Sequence, residues 1–271
     1  LTGIFSGATI KTTVAEWLIA PPRQAKPAES CVLVLAGRGN SNGMMMQMAR
    51  DLALDNSLIV CLRGTEYCWY PQPFSSKDQE KAVAGLPNAI KIIENAVKVI
   101  EKGFGIKREK IALFGYSAGA VMALEVAAAS KTRFASVTCA CGTILEPANF
   151  PDCKHPDMPV LLVHNKDDDC FDWDERYIPM KKALHRKRYN VYTLEQPFGG
   201  HLIFSHEFVA ISQVVGRSLG YGEDWVHPRM RQDIEIEDDE SMEESATTTE
   251  TAAADSVAAS ATEAQETVEA K

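Results

Sequence analysis

Apolar residues gather in short unbroken runs, separated by longer stretches where they recur every three or four positions. Four runs are almost wholly apolar: Cys31–Leu35, Ser57–Leu62, Lys110–Phe114 and Val160–Val163. Strands read this way when helices cover both faces of a parallel sheet. Ala135–Cys139 and Asn190–Leu194 are weaker strands of the same kind. Thr12–Ala20, ended by Pro21-Pro22, reads as an antiparallel edge strand. Between the runs lie helical periods. Gln79–Lys102 is the longest, with Ile90, Ile93, Val97 and Ile100 on one stripe. Ala118–Ala129 is small and apolar, suited to a helix pressed on a sheet; Glu175–Lys187 and Ile203–Ser218 read as later crossover helices. Strand and helix alternate, which predicts an α/β fold: a doubly wound, mostly parallel sheet with helices on both faces.

The pattern stops at about Gln232. Beyond it come acidic residues, then Ala, Thr, Ser and Glu with few large apolar side chains, a composition that cannot offset its ordering entropy. The expected organisation is one domain over 1–222, a boundary segment over 223–232 and a disordered acidic tail over 233–271. The formal charge of −9 belongs to that tail. Asp233 to Lys271 holds 13 acidic residues and one lysine, a net of −12, so the preceding 232 residues carry +3. A near-neutral body gives no reason to expect nucleic acid as a partner. Seven cysteines are present without Cys-x-x-Cys pairs or zinc-type Cys/His spacing. Free thiols in a reducing compartment are expected. No apolar run is long enough to span a bilayer and the first residues lack a leader pattern, so a cytoplasmic location without stable membrane insertion is expected.

The chemistry gathers at strand ends. Gly115-Tyr116-Ser117-Ala118-Gly119 follows the strand Lys110–Phe114 and opens the helix Ala118–Ala129. A G-x-S-x-G between strand and helix is the pattern of a nucleophile elbow, a strained turn that lifts a serine above the sheet edge. A serine needs a base to take its proton. His201 follows Phe198-Gly199-Gly200 in the loop between the last strand and the last helix, whereas His206 falls inside that helix. An orienting carboxylate belongs at the end of a strand between serine and histidine. Val160–Val163 runs there into Asp167-Asp168-Asp169, and the pattern alone leaves the choice among the three open. Asp174 reads as a helix N-cap. The developing oxyanion needs two preorganised donors. The N–H of Ala118 is one candidate, and that of Arg38, in the Gly-rich loop after Cys31–Leu35, is the other. That loop has no G-x-G-x-x-G, which weighs against a nucleotide cradle.

Together these pieces, over roughly Cys31 to Leu219, resemble the phospholipase/carboxylesterase family, the small cap-less hydrolases of the α/β-hydrolase fold that include acyl-protein thioesterases. Ala36-Gly37-Arg38-Gly39 resembles the family's His-Gly-x-Gly oxyanion loop, Gly115–Gly119 its elbow and Gly200-His201 its Gly-His. Val163–Asp168 is similar to its Val-His-Gly-x-x-Asp, and the spacing from His164 selects Asp168. Trp69-Tyr70-Pro71 is similar to a substrate-side loop of bacterial members, which implies that Trp69 and Tyr70 wall the groove; Met44–Met46 are further candidates for its wall. Two positions depart from the family: Ala36 replaces the histidine of the oxyanion loop, and Asn165 replaces the glycine after His164.

The resemblance implies a serine hydrolase that cleaves ester or thioester bonds of small to medium acyl substrates through an acyl-enzyme, with Ser117, His201 and Asp168 as its triad and no metal or organic cofactor. The interval Ala140 to Pro159 carries four prolines and leaves no room for a helical cap. Two rivals remain: a catalytically silent binding protein whose acidic tail recruits basic partners, and a peptidase or dienelactone-type hydrolase on the same fold. The latter type usually has a cysteine where this chain has Ser117.

Overall fold

A computed structural model describes residues 9–11, 15–23, 26–70 and 79–230. Eight strands form one sheet: β1 (Thr9–Lys11), β2 (Ala15–Ala20), β3 (Cys31–Leu35), β4 (Leu58–Gly64), β5 (Ile111–Tyr116), β6 (Ser136–Ala140), β7 (Pro159–Asn165) and β8 (Asn190–Gln196). Their spatial order is β1-β2-β4-β3-β5-β6-β7-β8. The pairings β1–β2 and β2–β4 are antiparallel and all others are parallel.

The apolar runs are strands because both faces of the sheet are covered. Leu33 and Leu35 point into a core shared with α2 (Gln79–Phe104) and α3 (Ala118–Ala129). Val32 and Val34 point the other way, into a core shared with α1 (Asn42–Asp51) and α5 (Ser205–Leu219). With a side-chain period of two, a strand buried on both sides must be apolar throughout. α3 is buried over almost its whole circumference, which its small residues permit.

Four details differ from the sequence reading. β2 is antiparallel as expected, but β1 lies outside it and takes the edge; residues 12–14 of the expected strand lie outside the described residues. The helix expected from Glu175 begins with a π-helical turn, Trp173–Tyr177, before α4 (Ile178–Arg186), and its cap is Asp172 rather than Asp174. Asp172 accepts hydrogen bonds from the N–H groups of Asp174 and Glu175. Helix α1 is an addition, capped by the Ser41 hydroxyl, which accepts from Met44 N–H at 3.2 Å. It buries Met45 and Met46 in the core, while Met44 is exposed. Packing on the body also passes the expected boundary at 222. Trp225 meets the Tyr221 ring edge-on, His227 hydrogen-bonds the Asp51 carbonyl, and Arg229 bonds the Asp51 side chain. The expected tail over 233–271 lies outside the described residues.

Between β6 and β7 the chain makes turns with no helix, and Ile144, Leu145 and Phe150 fold back into the core. All seven cysteines are unpaired, and among the described residues no helix is long and apolar enough to cross a membrane.

Candidate active site

The strand order creates the site. From β3 the chain moves to β4 on one side, then returns to place β5 on the other. Loops leaving β3 and β5 therefore diverge and open a crevice at their carboxyl ends, where ligands bind in doubly wound sheets. The register sets Leu35 opposite Gly115, so the Gly-rich loop and the elbow emerge side by side.

Ser117 sits in that turn with φ 54° and ψ −121°, a backbone state costly for a residue with a side chain. Surrounding contacts hold it: Ser117 N–H donates to the Ala140 carbonyl at 2.9 Å, and its own carbonyl accepts from Ala120 at 2.9 Å. A β-carbon on Gly119 would lie 2.0 Å from the Leu35 carbonyl oxygen, so α3 starts hard against β3 only because that residue is glycine.

His201 Nε2 lies 2.8 Å from Ser117 Oγ, and its Nδ1 lies 2.9 Å from Asp168 Oδ2. The Asp168 side chain is fully buried. Burial pushes its carboxyl up, but the hydrogen bond to His201 and those from Phe171 and Cys170 N–H outweigh it, and the net pKa is below the ordinary value. Asp168 is thus an ionised acceptor aimed at Nδ1, which leaves Nε2 free to take a proton. Of the other two aspartates, Asp167 accepts from Gly200 N–H at 2.8 Å and Asp169 is exposed. His206 stacks on Phe204, away from the serine–histidine pair. His164 is buried, stacked 4.4 Å from the Tyr177 ring, with Nε2 donating to the Phe171 carbonyl at 2.9 Å. Desolvation, against the pull of Asp168, lowers its pKa.

The loop after β3 reaches the serine: a β-carbon on Gly37 would lie 3.1 Å from Ser117 Cβ. Among the described residues, neither the Arg38 N–H nor the Ala118 N–H donates to a backbone carbonyl, whereas Gly39 and Asn40 N–H groups do. Trp69 and Tyr70 are not groove walls. Trp69 is 6% exposed and Tyr70 1%. The Trp69 indole N–H donates to the Ala36 carbonyl at 2.7 Å, Gly39 N–H to the Tyr67 carbonyl at 2.9 Å, and the Arg38 guanidinium to the Tyr70 carbonyl at 2.6 Å. A buried indole must satisfy its N–H, and it does so on the loop that lacks the family's histidine.

Three contributors escaped the sequence reading. Tyr116 donates its hydroxyl to the His201 carbonyl at 2.5 Å; its only signal was the variable position of the elbow. Cys141, in left-handed backbone at φ 48°, places its thiol against the Leu202 carbonyl. Asn165, which departs from the family pattern after His164, donates to the Gly200 and Leu202 carbonyls on either side of His201. One ligand atom each from Cys141, Asp168 and His201 lies within 4.8 Å of the others. Asp168 and His201 are already committed to each other, and the Cys141 thiol to the Leu202 carbonyl.

A sequence model described as phospholipase/carboxylesterase matches residues 19–215. No curated protein sequence matches the chain. Among solved structures, a phospholipase/carboxylesterase from Dyadobacter fermentans is similar over 78% of this chain and 98% of its own, with 21% identity and a TM-score of 0.64. Esterase PE8 is similar over 74% and 97%, with 18% identity and a TM-score of 0.64. SOBER1 of Arabidopsis thaliana is similar over 71% and 100%, with 18% identity and a TM-score of 0.56. At these identities the likeness is one of fold.

Proposed function

Because the chain belongs to the phospholipase/carboxylesterase family, we propose that it is a serine hydrolase that cleaves carboxylic ester or thioester bonds of small to medium acyl substrates. The observation that carries this reading is the unbroken contact from Ser117 Oγ through His201 to a buried, ionised Asp168. Ser117 attacks the acyl carbonyl as His201 Nε2 takes its proton. Asp168 keeps the remaining imidazole proton on Nδ1 and stabilises the imidazolium. The negative charge on the carbonyl oxygen falls to the N–H groups of Arg38 and Ala118, the latter also at the positive end of α3. His201 then protonates the leaving alcohol or thiol. Water, deprotonated by the same imidazole, attacks the acyl-enzyme and regenerates Ser117.

A site uncovered between β6 and β7 fits soluble substrates, and exposed Phe198 and Leu202 beside His201 give apolar surface for an acyl chain. The unpaired cysteines fit a reducing compartment. The test is turnover of p-nitrophenyl esters of increasing length, beside acyl-CoA and lysophospholipid, with fluorophosphonate labelling of Ser117. Labelling and turnover that both vanish in Ser117→Ala support the reading. A wild-type protein that neither labels nor turns over any of these is the silent binding protein instead.

A further inference from the structure

The imidazole of His201 hangs on a short loop, Gly199 to Leu202, that belongs to neither β8 nor α5. Such a loop, with two glycines before the histidine, has little stiffness of its own. Catalysis nevertheless needs the ring held to within a fraction of an ångström. The stiffness comes from outside the loop. Asn165, the last residue of β7, is 1% exposed. Its side-chain amide donates to the Gly200 carbonyl at 2.9 Å and to the Leu202 carbonyl at 2.8 Å, the two carbonyls that bracket His201. A β-carbon on Gly199 would lie 2.6 Å from the Asn165 amide nitrogen, so the loop is pressed onto this side chain.

We infer that Asn165 is a positioning residue that sets the His201 imidazole in line between Ser117 and Asp168 by gripping the carbonyls on either side of it. The inference rests on the serine-hydrolase reading for its functional meaning. Asn165 stands where the family pattern has glycine. The amide uses both of its N–H groups on the loop, and its oxygen, buried, has no hydrogen-bond partner among the described residues. An amide that merely filled space would gain nothing from that orientation. Leu202 takes a second, weaker contact from Cys141, and Tyr116 holds the His201 carbonyl, so the loop keeps its course when Asn165 is changed but loses its stop. The imidazole then samples positions in which Nε2 and Ser117 Oγ are out of line.

Two variants test this: Asn165→Gly, which restores the family residue, and Asn165→Leu, which keeps a branched side chain of similar shape and removes both donors. In each, kcat on a short p-nitrophenyl ester is expected to fall about 10- to 100-fold, the scale of a 1 Å misplacement. KM should stay within about threefold, because substrate binding does not use the base. Fluorophosphonate labelling should slow by the same factor as kcat. The proton on His201 Nδ1, hydrogen-bonded to Asp168, should give a downfield NMR resonance in the wild type that broadens or vanishes in both variants, while circular dichroism reports an intact fold. Wild-type kcat in Asn165→Leu, a loss confined to KM, or an unchanged resonance in a folded variant overturns the inference. The resonance needs no substrate, so it tests the grip even in an inactive protein. Absent turnover and labelling in the wild type counts against the serine-hydrolase reading alone.

Discussion

Trp69→Phe removes one hydrogen bond that holds the loop proposed to carry an oxyanion donor. The change keeps an aromatic ring in the core and deletes the indole N–H that donates to the Ala36 carbonyl at 2.7 Å. Two consequences have different sizes. The buried carbonyl loses a partner, which costs about 1–3 kcal/mol of stability, and the smaller ring adds a cavity cost. The Ala36–Gly37 peptide is also freed to rotate. Ala36 N–H remains tied to the Leu62 carbonyl at 3.0 Å, and Gly39 N–H to that of Tyr67, so the loop is loosened in its middle and not released. Loss of a whole oxyanion donor costs about 10²–10³ in kcat. A donor that is misdirected and not lost should cost less, roughly 10- to 30-fold by the same scale. The oxyanion exists only in the transition state, so the loss should fall on kcat and leave KM nearly unchanged. The assay is steady-state kinetics on a short p-nitrophenyl ester together with the affinity of a trifluoromethyl ketone, which forms a tetrahedral adduct with the serine. Adduct affinity and kcat should fall by the same factor. A variant with lowered melting temperature but wild-type kcat and adduct affinity refutes this reasoning and leaves Trp69 as a core residue only.

Ser117→Ala should reduce turnover to at most the roughly 10³- to 10⁴-fold acceleration that binding and oxyanion donors provide over water; near-wild-type rates would end the serine mechanism. Asp168→Asn should lower kcat by about 10⁴ by favouring the wrong imidazole tautomer. Asp169→Asn and Asp167→Asn should be mild, since Asp169 is exposed and an amide oxygen at 167 still accepts from Gly200; a dead Asp169 variant would show the loop assignment is shifted by one. Glu125 in α3 has its carboxyl pushed up to about 7 by burial, with Glu146 adding to it. Its folded pKa lies above its unfolded one, so its contribution to stability is greatest below about pH 4.5 and is lost as pH rises through 7. Partial exposure reduces the full shift to roughly 2 kcal/mol, and Glu125→Gln should recover about that much at pH 8 and little at pH 4.5 in urea denaturation; equal effects at both pH values would contradict the assignment. Turnover of soluble esters should rise with acyl length until the apolar surface beside His201 is covered, each methylene contributing up to about 0.8 kcal/mol; activity confined to micellar triglyceride would contradict a site with no cap between β6 and β7.

The sequence by itself determined what depends on local pattern. Strands buried on both faces must be apolar throughout, so β3, β5 and β7 were visible as runs, and α3 as the small-residue helix that a tight βα turn requires. The elbow was legible because its residues are consecutive. The His201 loop was legible from its glycines and its place between β8 and α5. Among the three aspartates, local pattern left a choice that only the family spacing narrowed to Asp168.

What tertiary structure alone decided are the contacts that brace those groups. Trp69 is 33 residues from Ala36 in the chain and Asn165 is 35 from Gly200, yet each pair meets at hydrogen-bond distance. A buried indole and a buried amide advertise, in sequence, only that they need partners. The partner is set by the strand order and register that put the ends of β3, β4, β7 and β8 along one sheet edge. The same cause turned Trp69 and Tyr70 from expected groove walls into core and hid α1, whose four methionines carry too short a pattern to separate a helix from a loop. It also moved the sheet edge from β2 to β1, because a strand cannot know from its own residues whether another will pair beside it.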